Sequence, residues 1–213
     1  EVLAAQLQVL PTEIILTSGG TEADNTAIFG TAYARSNEGK HIITTQIEHH
    51  AVLHACEKLE REGFEVTYLP VDELGRIRIA DLQAALRDDT ILVTIMYGNN
   101  EVGTVQPIIE IGALLKEHTA TYHTDAVQAF GLEEITPNEL GMDLLSVSAH
   151  KINGPKGIGF LYVKNGTKLA SFMHGGSQEK KRRAGTENIP AVIGFATAAK
   201  LAAQNRIQNR EKY

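Results

Sequence analysis

Leu144-Leu145-Ser146-Val147-Ser148-Ala149-His150-Lys151, followed almost at once by Asn153-Gly154-Pro155-Lys156-Gly157-Ile158-Gly159, is the stretch on which the fold reading turns. It reads as a short buried strand, Leu144–Ser148, that stops at a tight glycine-rich loop. Working outward, β-branched and apolar runs of similar length recur at 13–17, His41–Thr45, Glu65–Leu69, 91–96, 121–124 and 158–163. Several are apolar throughout, as strands buried on both faces are. Between them, residues 21–35, 51–62, 79–87 and 108–118 place apolar side chains three and four apart with charge on the other face, which predicts amphipathic helices. Residues 189–210 read as one long terminal helix. This alternation predicts an α/β fold with a mostly parallel sheet between helices, and no repeat or linker divides residues 1–213. In such sheets ligands bind beyond the carboxyl ends of strands, so the loops after the strands are where chemistry is sought.

Composition narrows the function classes. A chain with 43% hydrophobic residues has ample material for a core. A formal charge of -6 leaves no Lys/Arg excess to neutralise a nucleic-acid backbone. The one basic run, Lys180-Lys181-Arg182-Arg183, reads as a solvated loop. No apolar stretch approaches the ~20 residues that span a bilayer, and the first residues lack the charged-then-apolar order of a signal peptide, so the expectation is a soluble cytoplasmic protein. Cys56 is the single cysteine, which excludes an intrachain disulfide and a cysteine-based zinc cage, and no metal site is expected.

Three loops carry chemistry. Thr17-Ser18-Gly19-Gly20-Thr21-Glu22 joins an apolar strand to an alanine-rich helix. Its glycines allow close approach of an anion to the free N–H groups of the helix start, although Thr21 and Glu22 also fit an ordinary capping box. Lys151, directly after the strand Leu144–Ser148, is an amine nucleophile if burial lowers its basicity, and a solvated loop lysine otherwise. Asp125, in His123-Thr124-Asp125-Ala126-Val127-Gln128, either caps the following turn or sets a carboxylate beside a cationic ring nitrogen.

Taken together, Gly20-Thr21-Glu22-Ala23, Glu48-His49-His50-Ala51-Val52-Leu53, Asn99-Asn100-Glu101-Val102-Gly103, Asp125-Ala126-Val127-Gln128, Ser148-Ala149-His150-Lys151 and Arg183-Ala184-Gly185-Thr186 resemble cysteine desulfurases of the NifS/IscS type, in order and approximate spacing. The resemblance covers essentially the whole chain. It implies the large domain of a pyridoxal 5'-phosphate (PLP) dependent transferase. It also implies that Lys151 bonds covalently to the cofactor, that Asp125 faces the pyridinium nitrogen and that Gln128 reaches the phenolic oxygen. His49 would stack on the ring and share proton transfer with Lys151. Gly20, Thr21, Ser148 and His150 fall at phosphate-binding positions, Asn100 near cofactor and substrate carboxylate. Thr186 would reach the phosphate of a neighbouring subunit, hence a homodimer with a shared site. The substrate implied is L-cysteine, with sulfur leaving as a persulfide to an acceptor protein or scaffold.

The chain also departs from that pattern. The persulfide-forming cysteine and the arginine that grips the substrate carboxylate match no position here, and Cys56 falls on a helical stripe with Val52 and Leu59, where a cysteine is an inert hydrophobe. The expectation is therefore a large-domain piece that lacks an N-terminal segment and a small domain, with little activity of its own. Other class V chemistry (aminotransferase or selenocysteine lyase) and a non-catalytic dimerising or regulatory module are the competing readings.

Overall fold

The structure, a computed structural model, describes residues 1–210. Seven strands form one sheet: β1 (Ile14–Thr17), β2 (His41–Thr45), β3 (Glu65–Leu69), β4 (Thr90–Thr94), β5 (Thr121–Asp125), β6 (Leu144–Ser148) and β7 (Gly159–Val163), in the order β1-β7-β6-β5-β4-β2-β3. β3, β2, β4, β5 and β6 pair parallel, while β7 is antiparallel to both of its neighbours, β6 and β1. The reversal has a simple cause. A parallel return needs a crossover of about a dozen residues or more, usually a helix, and the stretch 149–158 is too short and too rich in glycine to supply one.

Every residue of β2, β4, β5, β6 and β7 is buried, and β4 and β7 accordingly read as near-continuous apolar runs, while β5 buries the polar Thr121, His123, Thr124 and Asp125. Alternation then sorts their side chains into two layers. Ile43, Val93, Leu145, Phe160 and Tyr162 pack on one face with α1 (Val2–Leu7), α4 (Ile79–Ala85), α5 (Ile108–Leu115) and α6 (Ile189–Gln204), through Leu7, Leu82, Ile111 and Phe195. Ile42 and Leu92 face the other way, onto α2 (Gly20–Arg35) and α3 (His50–Arg61), through Ile28, Val52, Cys56 and Leu59. Leu144 and Leu161 join them there against Ala23 and Ala27 of α2.

Two features differ from the sequence reading. Val2–Leu7 forms a helix that no periodicity announced, because six residues are too few to show one. The terminal helix is broken: α6 ends at Asn205, whose side-chain amide donates to the Leu201 carbonyl at 2.8 Å, and α7 (Arg206–Arg210) begins after it. No described helix is long and apolar enough to cross a membrane.

Candidate active site

The parallel strands and β1 deliver their carboxyl ends to one edge, and five of the loops there converge on a cavity of about 240 Å³. After β1, Gly19 takes φ 153° and ψ −174°, a conformation only glycine holds without strain, and the chain turns straight into α2. Gly20 opens that helix against the loops after β5 and β6. A methyl group on it would stand 2.8 Å from Val127 Cγ2 and 3.6 Å from Ser148 Cβ. Thr21 is the second residue of α2; the cap position belongs to Gly19, without any side-chain cap bond. The unsatisfied N–H groups of a 16-residue helix therefore open beside the cavity, the arrangement that favours an anion.

The loop after β6 supplies the basic groups. Ser148 Oγ lies 2.8 Å from His150 Nδ1. Burial and the charges of Lys151 and Lys156 hold the imidazole of His150 below its usual range. Lys151 sits in the 3-10 turn Ala149–Ile152 and is solvent-facing at the rim of the cavity. A second cleft, lined by Ser18 to Glu22, Ser148, His150, Lys156 and Gly157, adjoins the cavity at this end.

The floor is acidic. Asp125 is buried and accepts the Val127 N–H at 2.9 Å, so it caps its turn and lines the cavity as well. Burial pushes its carboxyl up, while the Val127 bond and the nearby His49 and Lys151 draw it back. His49 likewise has two roles: its Nδ1 accepts the Ala51 N–H at 3.1 Å as the cap of α3, and the ring lines the cavity. Gln128 and Asn100 complete the wall, Asn100 donating to Glu101 Oε1 at 2.8 Å.

Residues named from the sequence thus meet here, with one exception. Thr186 is exposed and is not part of the cavity lining. The basic run also differs from its reading as a solvated loop. Arg182 and Arg183 are half-buried, the first donating to the Thr12 carbonyl at 2.9 Å and the second to Glu22.

Three buried groups escaped the sequence reading. Asp24 lines the floor beside Asp125, and its Oδ1 has no hydrogen-bond partner. Burial and the neighbouring Asp125 push its carboxyl well above the usual range. His123 Nε2 stands 3.7 Å from Asp24 Oδ1 and 3.0 Å from Ser146 Oγ, and burial lowers its imidazole to about 3, which keeps it neutral. Glu48 accepts from Thr45 Oγ1 at 2.8 Å and from the Met96 N–H at 2.9 Å, yet burial still pushes it up to about 8. Asp24 lies one helical turn after Gly20, which is the only signal that it shares the inward face.

The aminotransferase class-V model matches residues 1–213. The chain belongs to the aminotransferase class-V family. This class-V chain is 52% identical over 212 residues to the "Cysteine desulfurase IscS" of Clostridium botulinum, covering 100% of this chain and 53% of that protein. A solved structure titled "NIFS-LIKE PROTEIN" superposes with a TM-score of 0.95 at 39% identity, over 97% of this chain and 57% of that one. Another, titled "SspA in complex with cysteine", gives a TM-score of 0.91 at 43% identity, over 93% and 58%. The class-V chain spans about half the length of the curated relatives it matches.

Proposed function

We propose that residues 1–213 form the PLP-binding large domain of an L-cysteine desulfurase. The observation that carries this reading is the polarity of the cavity: the Asp125 carboxyl on the floor, and an anion-accepting helix start with Ser148 and His150 at the other end. A flat ligand with a cationic ring nitrogen and a phosphate fits that polarity, with Lys151 at the rim to fix it covalently. Gly20, Thr21, Ser148 and His150 would hold the phosphate, Asp125 the pyridinium nitrogen, Gln128 the phenolic oxygen, and His49 the ring face. When bound, PLP supplies an electron sink for the α-carbon of an amino acid.

The chain's own residues do the rest. Burial raises the carboxyl of Asp125, and a cationic ring nitrogen beside it would draw it back towards the ionised form in a place where water cannot screen the pair. Lys151 and His49 both line the cavity, so either would be available to take or return the α-proton of the substrate. Asn100 offers an amide to the substrate carboxylate. L-cysteine as substrate follows from the relative named a desulfurase and the neighbour solved with cysteine. The sulfur would leave on a thiolate as persulfide, destined for iron–sulfur or thio-cofactor synthesis in the cytoplasm. Thr186, exposed and outside the lining of its own cavity, fits a homodimer in which it serves the partner subunit's site.

Full-length protein given L-cysteine and a thiol should release alanine and sulfide in equal amounts without any amino acceptor. Turnover that requires a keto acid, or that proceeds without sulfide, would instead mark a class V aminotransferase.

A further inference from the structure

Glu22 is the third residue of α2 and its carboxylate folds back over the turn that starts the helix, accepting the Ser18 N–H at 2.8 Å. A carboxylate in that place competes with any phosphate for the same positive helix end, and the two anions repel each other. Arg183 answers it from 161 residues away, with Nε 2.7 Å from Oε1 and Nη2 3.0 Å from Oε2. The fork meets both oxygens, and the pair is largely shielded from water, with side-chain exposures of 18% and 10%. Burial alone would raise Glu22, but the Arg183 and Ser18 bonds outweigh it and hold the carboxyl below its usual range, so it stays ionised and needs its cation.

The chain accepts local strain to put Arg183 there. Glu179, Lys180 and Lys181 take φ of 45°, 57° and 67° in succession, a left-handed turn that costs side-chain-bearing residues energy. Arg182 to the Thr12 carbonyl at 2.9 Å, Ser171 Oγ to the Arg182 carbonyl at 3.1 Å and Gly185 N–H to Gln178 Oε1 at 3.1 Å fasten the turn. The result is that two consecutive arginines point inward while the two lysines before them stay in solvent.

We propose that Arg183 is a positioning residue for cofactor binding: by neutralising Glu22 it leaves the start of α2 presenting N–H donors, without a competing charge, to the phosphate. This rests on the phosphate end assigned above. A pair that merely stapled the 178–185 turn to α2 would look the same in the structure, so the test must separate charge from tether.

Equilibrium binding of PLP, and separately of inorganic phosphate, to the full chain does so, with thermal melting to confirm that each variant is folded. Arg183→Ala should weaken both on the order of tenfold, since it leaves Glu22 unpaired, and Arg183→Lys should stay within about threefold of wild type. Glu22→Gln, which removes the anion and keeps the Ser18 acceptor, should bind phosphate roughly threefold more tightly or better. The double variant Glu22→Gln/Arg183→Ala should recover to within about threefold of wild type although the tether is gone. A staple predicts the opposite for the last two. Weaker phosphate binding by Glu22→Gln, a double variant as poor as Arg183→Ala, or an Arg183→Ala that binds like wild type would each overturn the proposal. If the wild type itself forms no borohydride-reducible adduct with PLP, the assignment of the phosphate end falls with it; an intact wild-type adduct with unaltered variants sinks the charge argument alone.

Discussion

Asp24, Asp125 and Glu48 crowd three carboxyls into a buried region in which His123 is neutral, and at this scale the site is defined by charge that is hard to accommodate. Glu48 shows the consequence. Burial raises it to about 8 from an ordinary 4.5, against the pull of its bonds from Met96 and Thr45. The folded state therefore keeps this proton at pH values where the unfolded chain has lost it. The stability it contributes is fully present below about pH 4.5 and is lost as pH rises towards about 8. Glu48→Gln keeps the acceptor for Met96 and Thr45 and removes the ionisation. Its melting temperature should match wild type near pH 5 and exceed it by pH 8, by on the order of 3 kcal/mol in unfolding free energy. A difference that stays flat across that range would show that Glu48 does not carry a raised acidity. None of this is legible in the sequence, where nothing marks Asp24 or Glu48 as buried. Only burial in the fold sets Asp24 on the cavity floor and Glu48 behind it, bonded to Thr45 and Met96.

Elements explain both what the sequence disclosed and what it hid. His41–Thr45, Glu65–Leu69 and Leu144–Ser148 were readable to the residue because short apolar, β-branched runs are bounded by charge or glycine. The cavity followed from them, since the stretches that line it sit in the loops after strands. The direction of β7 and the break at Asn205 were not, because both depend on local competition for backbone groups that a hydrophobic pattern does not register. The dual role of Asp125, cap and cavity wall at once, also lay beyond a reading that treated the two as alternatives, and the capping role of His49 carried no signal of its own. The start of α2 gives the element-scale prediction. Gly20→Ala places a methyl 2.8 Å from Val127 Cγ2, so α2 or the loop after β5 must shift. We expect a loss of about 1–3 kcal/mol in stability, with phosphate binding weakened alongside, by denaturant titration and by equilibrium binding. A variant as stable as wild type that binds phosphate equally well would show that the close approach is not needed.

At the scale of the whole molecule, the sheet brings the cavity-lining groups to one edge and leaves the single thiol of the chain buried. Cys56 is fully buried between α3 and the sheet among Val52, Ala55 and Leu59, and burial, with Glu48, Glu60 and Glu57 nearby, pushes its acidity away from thiolate. Native protein should therefore leave Cys56 unlabelled by a thiol reagent until it unfolds. Residues 1–213 alone should release alanine from L-cysteine no faster than free PLP does. Brisk turnover that disappears in Cys56→Ser would show that this thiol is the sulfur acceptor after all.

The central claim is that the cavity at the carboxyl edge of the sheet holds PLP on Lys151. Incubation of the purified chain with PLP, borohydride reduction, and intact and peptide mass measurement test it directly. The account expects one phosphopyridoxyl group per chain on the peptide containing Lys151, absent from a folded Lys151→Ala variant. Full labelling of a different lysine, or an adduct that persists undiminished in Lys151→Ala, would contradict it.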